Sequence, residues 1–141
     1  MEPLRFHDAD VGGLPAPGWY VSMIVTASWR QSTRGNRMVY LVHALEKVSP
    51  PFHRISDCFV LEGVSPQGQA YARQRIVAVF RSCRLDPRSG EEIRPEELCG
   101  LAVEVKVAHE SWRGENQLKV VGYRPHEGPS IGSPDRDQEP G

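Results

Sequence analysis

Cysteine is scarce in this chain: three in 141 residues, at positions 58, 83 and 99. The odd number, with no CxxC pair and no Cys/His spacing suited to zinc, argues against a disulfide framework and for reduced, packed thiols. No run approaches the roughly 20 apolar residues that a membrane-spanning helix requires. Residues 1–10 have no apolar signal-peptide core. The expected location is therefore the cytoplasm, with no membrane partner. The five histidines, at 7, 43, 53, 109 and 126, are scattered, and no Ser/His/Asp or Cys/His arrangement is legible in their spacing. There is no Gly-rich phosphate loop of the strand-loop-helix kind. The paired carboxylates Glu91-Glu92 and Glu96-Glu97 flank a short predicted helix, where acidic residues favour the N-terminus. The expectation is a non-enzyme, with no catalytic residues, metal ligands or cofactor.

A strong charge of either sign is also missing, since the net charge is −1. Its distribution is uneven, however. Residues 14–125 hold 15 basic against 11 acidic side chains, a net of +4, and the acidic excess lies at the two ends. What the chain has in abundance is turn formers, 13 Gly and 12 Pro, within an otherwise globular composition of 39% hydrophobic and 25% charged residues. Short strands and many turns in one domain follow. The reading is an N-terminal extension over 1–17, a folded domain over 18–125 and a disordered acidic tail over 126–141, where Pro, Gly, Ser and acidic residues predominate.

From Trp19 to Trp29 every odd position is apolar and Ser22, Thr26 and Ser28 take even ones, the period of a half-buried strand whose odd face is expected inside. A polar run, Arg30 to Arg37, then reads as a long basic loop before a second strand, Met38–Leu45. Ser49-Pro50-Pro51 ends that strand, and His53–Leu61 is the third. Ser65-Pro66 is an N-cap followed by proline at the first helical position. The helix it opens carries Ala72, Ile76, Val79 and Cys83 on one stripe, with Arg73, Arg75, Arg81 and Arg84 read as a solvated face. One helical turn at Arg94–Leu98 precedes a fourth strand over 101–108, and the loop Ser111–Asn116 leads into a fifth, Gln117–Tyr123.

Three strands, one helix and two strands make the fold class all-β with one helix, expected as a five-stranded OB-fold barrel (β-β-β-α-β-β), with a plain β-sandwich left open. An OB-fold binds its ligand across strands two and three, between the loops joining strands one to two and four to five. Here both loops open on Ser-Trp-Arg: Ser28-Trp29-Arg30 and Ser111-Trp112-Arg113. Trp supplies a surface for an unstacked base and Arg a cation for phosphate. The candidate nucleic-acid-binding residues are Trp29, Arg30, Arg34, Arg37, Tyr40, Arg54, Trp112, Arg113, Lys119 and Tyr123. Trp29 serves equally well as a barrel cap, and Tyr40 and Tyr123 as core or rim.

The chain resembles a phage-encoded family of small proteins, long catalogued as a domain of unknown function and similar to the single-strand-binding proteins of phage replication and recombination operons. The resemblance covers most of the domain. It rests on Gly18-Trp19-Tyr20, Ser32-Thr33-Arg34-Gly35-Asn36, Phe80-Arg81-Ser82-Cys83, Pro95-Glu96-Glu97-Leu98-Cys99-Gly100 and Asn116-Gln117-Leu118-Lys119 leading to Gly122-Tyr123. It implies an OB-fold, a phage or prophage setting and work beside a recombinase or helicase. The expected function is non-catalytic binding of single-stranded DNA, with RNA and a homo-oligomer left open. The alternative is an OB-fold protein-interaction module using the same Trp/Arg loops.

Overall fold

The structure, a computed structural model, describes residues 3–5 and 14–127. Five strands, β1 (Gly18–Gln31), β2 (Arg37–Leu45), β3 (Arg54–Val60), β4 (Ala102–Trp112) and β5 (Glu115–Arg124), form one antiparallel sheet in the order β3-β2-β1-β4-β5. A single α-helix, α1 (Pro66–Ser82), and a 3₁₀ turn, Pro95–Leu98, separate β3 from β4. Among the described residues no helix is long and apolar enough to cross a membrane.

The long strand β1 organises the sheet. Its first part, Gly18 to Met23, pairs with β4, and Ser22 to Gln31 pairs with β2. A bulge at Val25, between the paired residues Ile24 and Thr26, lies just beyond the handover. Such an extra residue bends the strand and increases its twist. It also resets which side chains face in. Ser22 and Ile24 are buried before the bulge and Ala27 after it. The odd-numbered inner face read from the sequence is therefore corrected over Trp19–Met23: Trp19 is 37% exposed, and Val21 and Met23 are half-buried. Alternation reveals the period, but not which face is inside when the inner one holds a serine.

Inside, Val39 and Leu41 from β2, Phe59 from β3, Val103, Val105 and Val107 from β4 and Val120 from β5 form the core with Ile76, Val79 and Phe80 of α1. Ser65 caps α1 as expected, its hydroxyl accepting the Gly68 N–H at 3.0 Å. The helix arginines divide. Arg73, Arg81 and Arg84 are exposed, whereas Arg75 is 22% exposed and bonded to the carboxylate of Asp57, so the solvated-face reading is corrected for that residue. Packed thiols are likewise corrected, because Cys83 is half-buried but Cys58 and Cys99 are exposed.

β3 and β5 are the two edges of the sheet, and the ladder does not join them. Side chains do. The Tyr123 phenol of β5 donates to Asp57 Oδ2 of β3 at 2.6 Å, and its ring lies 6.5 Å from that of Phe59. Arg75 reaches the same Oδ2 at 2.7 Å, while Oδ1 accepts the Cys58 N–H at 2.9 Å. The Tyr123 hydroxyl gives its proton to Asp57, so its oxygen accepts from His43 Nε2 at 3.0 Å. His43 Nδ1 then faces Ser22 Oγ at 3.4 Å, whose proton goes to the Val103 carbonyl at 3.0 Å. This polar chain connects α1, β3, β5, β2, β1 and β4.

Candidate nucleic-acid interface

Both hairpins are tighter than the sequence suggests. β1 runs on to Gln31 and β2 starts at Arg37, leaving only residues 32–36 between them. That connection is closed by Ser32, whose N–H donates to the Asn36 carbonyl at 2.8 Å and whose hydroxyl accepts the Asn36 N–H at 3.1 Å. Arg30 and Arg37 are therefore strand residues, and of the expected loop arginines only Arg34 occupies the turn. The second hairpin closes through Arg113-Gly114 alone, with φ of 53° and 79°. Positive φ at both central residues is the type I′ turn that suits strand twist. Asn-Gly is the favoured pair there, so Arg113→Asn is expected to leave stability unchanged or raise it by up to about 1 kcal/mol. The urea midpoint measures this, and a drop would mean that the arginine side chain holds the turn.

The ladder sends the two tips past opposite ends of β1, since Gln31 pairs with Arg37 and Gly18 pairs with Val107, well before the end of β4. The two Ser-Trp-Arg segments are thus carried by different hairpins, β1–β2 and β4–β5, beyond opposite ends of the β1 ladder. Around the first tip, two pairs assemble on opposite faces. Arg30 lies 4.0 Å over the ring of Tyr40 on the outer face. Trp29, 36% exposed, shares the inner face with its partner Val39 and has Arg37 4.4 Å over its ring. Arg37 also meets Glu62 at 3.5 Å, so Trp29 opens beside a carboxylate.

The outer face of β2 and β3 carries a different chemistry. Met38, Tyr40, Val42 and Ala44 alternate with the buried residues of β2 and are half-buried themselves. Opposite them on β3 stand Val60, Cys58, Ser56 and Arg54. Arg30 and Arg54 mark the ends of this apolar strip, and none of these strand positions is a carboxylate. The one acid of β3, Asp57, points inward. On the β4–β5 side two cations are already matched: Lys119 meets Glu110 at 3.2 Å, and Arg124 meets Glu104 at 2.7 Å while covering Trp19 at 4.1 Å. Arg113 sits in its turn, and Trp112 ends β4 opposite Glu115.

Tyr123 stands apart from the other candidates, as part of the interior chain and not of the outer face. Burial raises its phenol well above the ordinary tyrosine range, and Asp57 adds to the shift. Burial holds His43 down at about 4, so its imidazole is neutral near pH 7. The contact between Ser22 and His43 is not a nucleophile and its base in waiting, because both are fully buried and the serine proton is committed to a carbonyl. Sequence reasoning missed this network. Its one signal in the sequence is His43, a titratable residue within the apolar second strand Met38–Leu45.

Against known proteins, the chain matches no family model and no curated protein.

Proposed function

We propose that this chain is a non-catalytic OB-type protein that binds single-stranded DNA across the outer face of β2 and β3. The observation that carries the reading is the composition of that face: a half-buried aromatic and aliphatic strip, arginines at its ends and no carboxylate. Unstacked bases need a flat apolar surface and the phosphates need cations, and both occur here without a competing anion. The order of the strands, with β1 shared between β2 and β4 and β5 brought against β3 by side chains, supports the OB-type barrel. The resemblance to small phage-encoded proteins supports a setting in replication or recombination, beside a recombinase or helicase.

Fluorescence anisotropy with labelled oligo-dT across a salt series tests the reading. Base–aromatic stacking contributes about 1 to 3 kcal/mol, so Tyr40→Ala is expected to weaken binding roughly 5- to 150-fold. Arg30→Ala is expected to reduce the slope of log K against log salt by about 0.7, the value for one phosphate contact on a single strand. Lys119→Ala, whose charge Glu110 already matches, is expected to change little. Cys58 lies exposed opposite Tyr40 in the middle of the face, and Cys99 lies beside the Ala27 carbonyl of β1, outside β2 and β3. Oligo-dT is thus expected to slow maleimide labelling of Cys58 and spare Cys99. Absence of binding at low salt, or a Tyr40→Ala variant that binds as tightly as the parent, overturns the proposal.

A further inference from the structure

A groove on another part of the molecule has the opposite electrostatic character. Between α1 and the segment 85–93 lies a cleft of about 340 Å³ with Ile76, Phe80, Leu85 and Ile93 on its walls. A second hollow of about 270 Å³ extends it past Leu61 to the exposed face of Trp29, and the two share Arg73, Glu91, Glu92 and Ile93. The combined volume is within the range of ligand pockets, roughly 300 to 1,000 Å³. The rim carries five carboxylates, Glu62, Asp86, Glu91, Glu92 and Glu97, against three arginines, Arg37, Arg73 and Arg88. With Arg94, which holds Glu92 at 3.1 Å, the local net is −1 in a region of the chain whose overall balance is +4. Arg37, Arg88 and Arg94 already face Glu62, Asp86 and Glu92, at 3.5, 3.8 and 3.1 Å, which leaves Glu91 and Glu97 outside these pairs.

We infer that this groove docks a protein partner through a short segment in which large aliphatic side chains stand next to lysine or arginine. The apolar walls take the aliphatic side chains, Trp29 closes one end as an aromatic anchor of the kind that dominates protein hot spots, and the carboxylate rim selects cationic flanks. Nucleic acid is disfavoured here for the same reason: the phosphates would meet Glu62, Glu91 and Glu92. Trp29 therefore belongs to this surface and Tyr40 to the strand-binding one, so the two kinds of ligand can be held at once.

The test is fluorescence anisotropy of the full chain with labelled peptides built on a Leu-Lys-Arg-Leu core, compared with Ser-Lys-Arg-Ser and Leu-Glu-Glu-Leu. The first is expected to bind at least tenfold more tightly than the other two. Glu92→Lys with Glu97→Lys, both at exposed positions, is expected to weaken it tenfold or more without weakening oligo-dT binding. Arg73→Glu removes a cation from the shared stretch and is expected to tighten it several-fold, a gain that misfolding cannot imitate. The proposal is overturned if none of the peptides binds, if Leu-Glu-Glu-Leu binds equally well, or if oligo-dT displaces the cationic peptide. It is also overturned if sedimentation shows a dimer that the Glu92→Lys, Glu97→Lys variant dissolves, since a second copy is then the occupant.

Discussion

Replacing Asp57 with alanine is expected to destabilise the protein by about 3 to 5 kcal/mol, the usual result of removing one member of a buried, hydrogen-bonded ion pair. The carboxylate is 11% exposed and receives Arg75, Tyr123 and the Cys58 N–H. Without it a guanidinium, a phenol and a main-chain donor lose their acceptor together. For a folded domain of this size the expected fall in melting temperature is roughly 12 to 20 °C. Burial raises the pKa of Asp57, against the lowering by Tyr123 and Arg75, so the ionised carboxylate is held at a desolvation cost even with these partners in place. Asp57→Asn keeps an acceptor for Tyr123 and is expected to lose less than alanine does. A double-mutant cycle with Tyr123→Phe separates the contact across the sheet edges from the pairing with Arg75. A loss below about 1 kcal/mol for Asp57→Ala would show that Asp57 does not hold β3 to β5, since that is the range of an exposed ion pair.

Acid is expected to unfold the protein through His43. Its folded-state pKa is lowered by burial to about 4 from an ordinary 6.5. Between those values the unfolded chain binds a proton that the folded chain refuses, so stability falls as pH falls. Full stability from this group is present above pH 6.5 and is lost progressively down to pH 4. The total is about 3 kcal/mol, from 1.36 kcal/mol per pKa unit. Asp57 acts in the opposite sense: its pKa is raised on folding, so its contribution is largest at low pH and declines as pH rises through the folded value. Comparing the parent with His43→Gln isolates the histidine, because glutamine keeps a donor for Tyr123 and does not titrate. The expected result is a flatter stability profile for His43→Gln between pH 6.5 and 4, measured by urea unfolding. Parallel profiles would mean that the histidine charges without leaving the core.

The element order was legible in the sequence because its signals are local. Ser65-Pro66 is a start signal within two residues, and the alternation from Leu101 to Ala108 needs no partner to be seen. The faces of β1 were not, since the Val25 bulge, just past the point where β1 leaves β4 for β2, resets which side chains face in. Hairpin length was overestimated for a related reason: Arg30, Gln31, Ser111 and Trp112 look like loop by composition and become strand through the ladder. Of the candidate site, Arg30, Tyr40 and Arg54 fall on one outer face. Trp29 and Tyr123 do not, and nothing short of register distinguishes them. Arg75 is the clearest case of an illegible residue. On the helix it resembles its exposed neighbours, and only the arrival of Asp57 from β3 makes it interior. At the start of the acidic tail read over 126–141, His126 packs onto Glu104 at 3.1 Å; residues 128–141 lie outside the described residues.

A sheet whose edge strands meet through a tyrosine, an aspartate and an arginine has a seam, and the seam gives local opening a defined place. β1 is laddered to β4 over Gly18–Met23 and to β2 over Ser22–Gln31, so a β1–β2–β3 leaf and a β4–β5 leaf can part at their far margins, β3 and β5. The proposed strand-binding face lies wholly on the first leaf. A ligand confined to it leaves the seam free to open, whereas one long enough to reach the β4–β5 hairpin acts as a clasp, and its affinity then includes the work of keeping the two leaves shut.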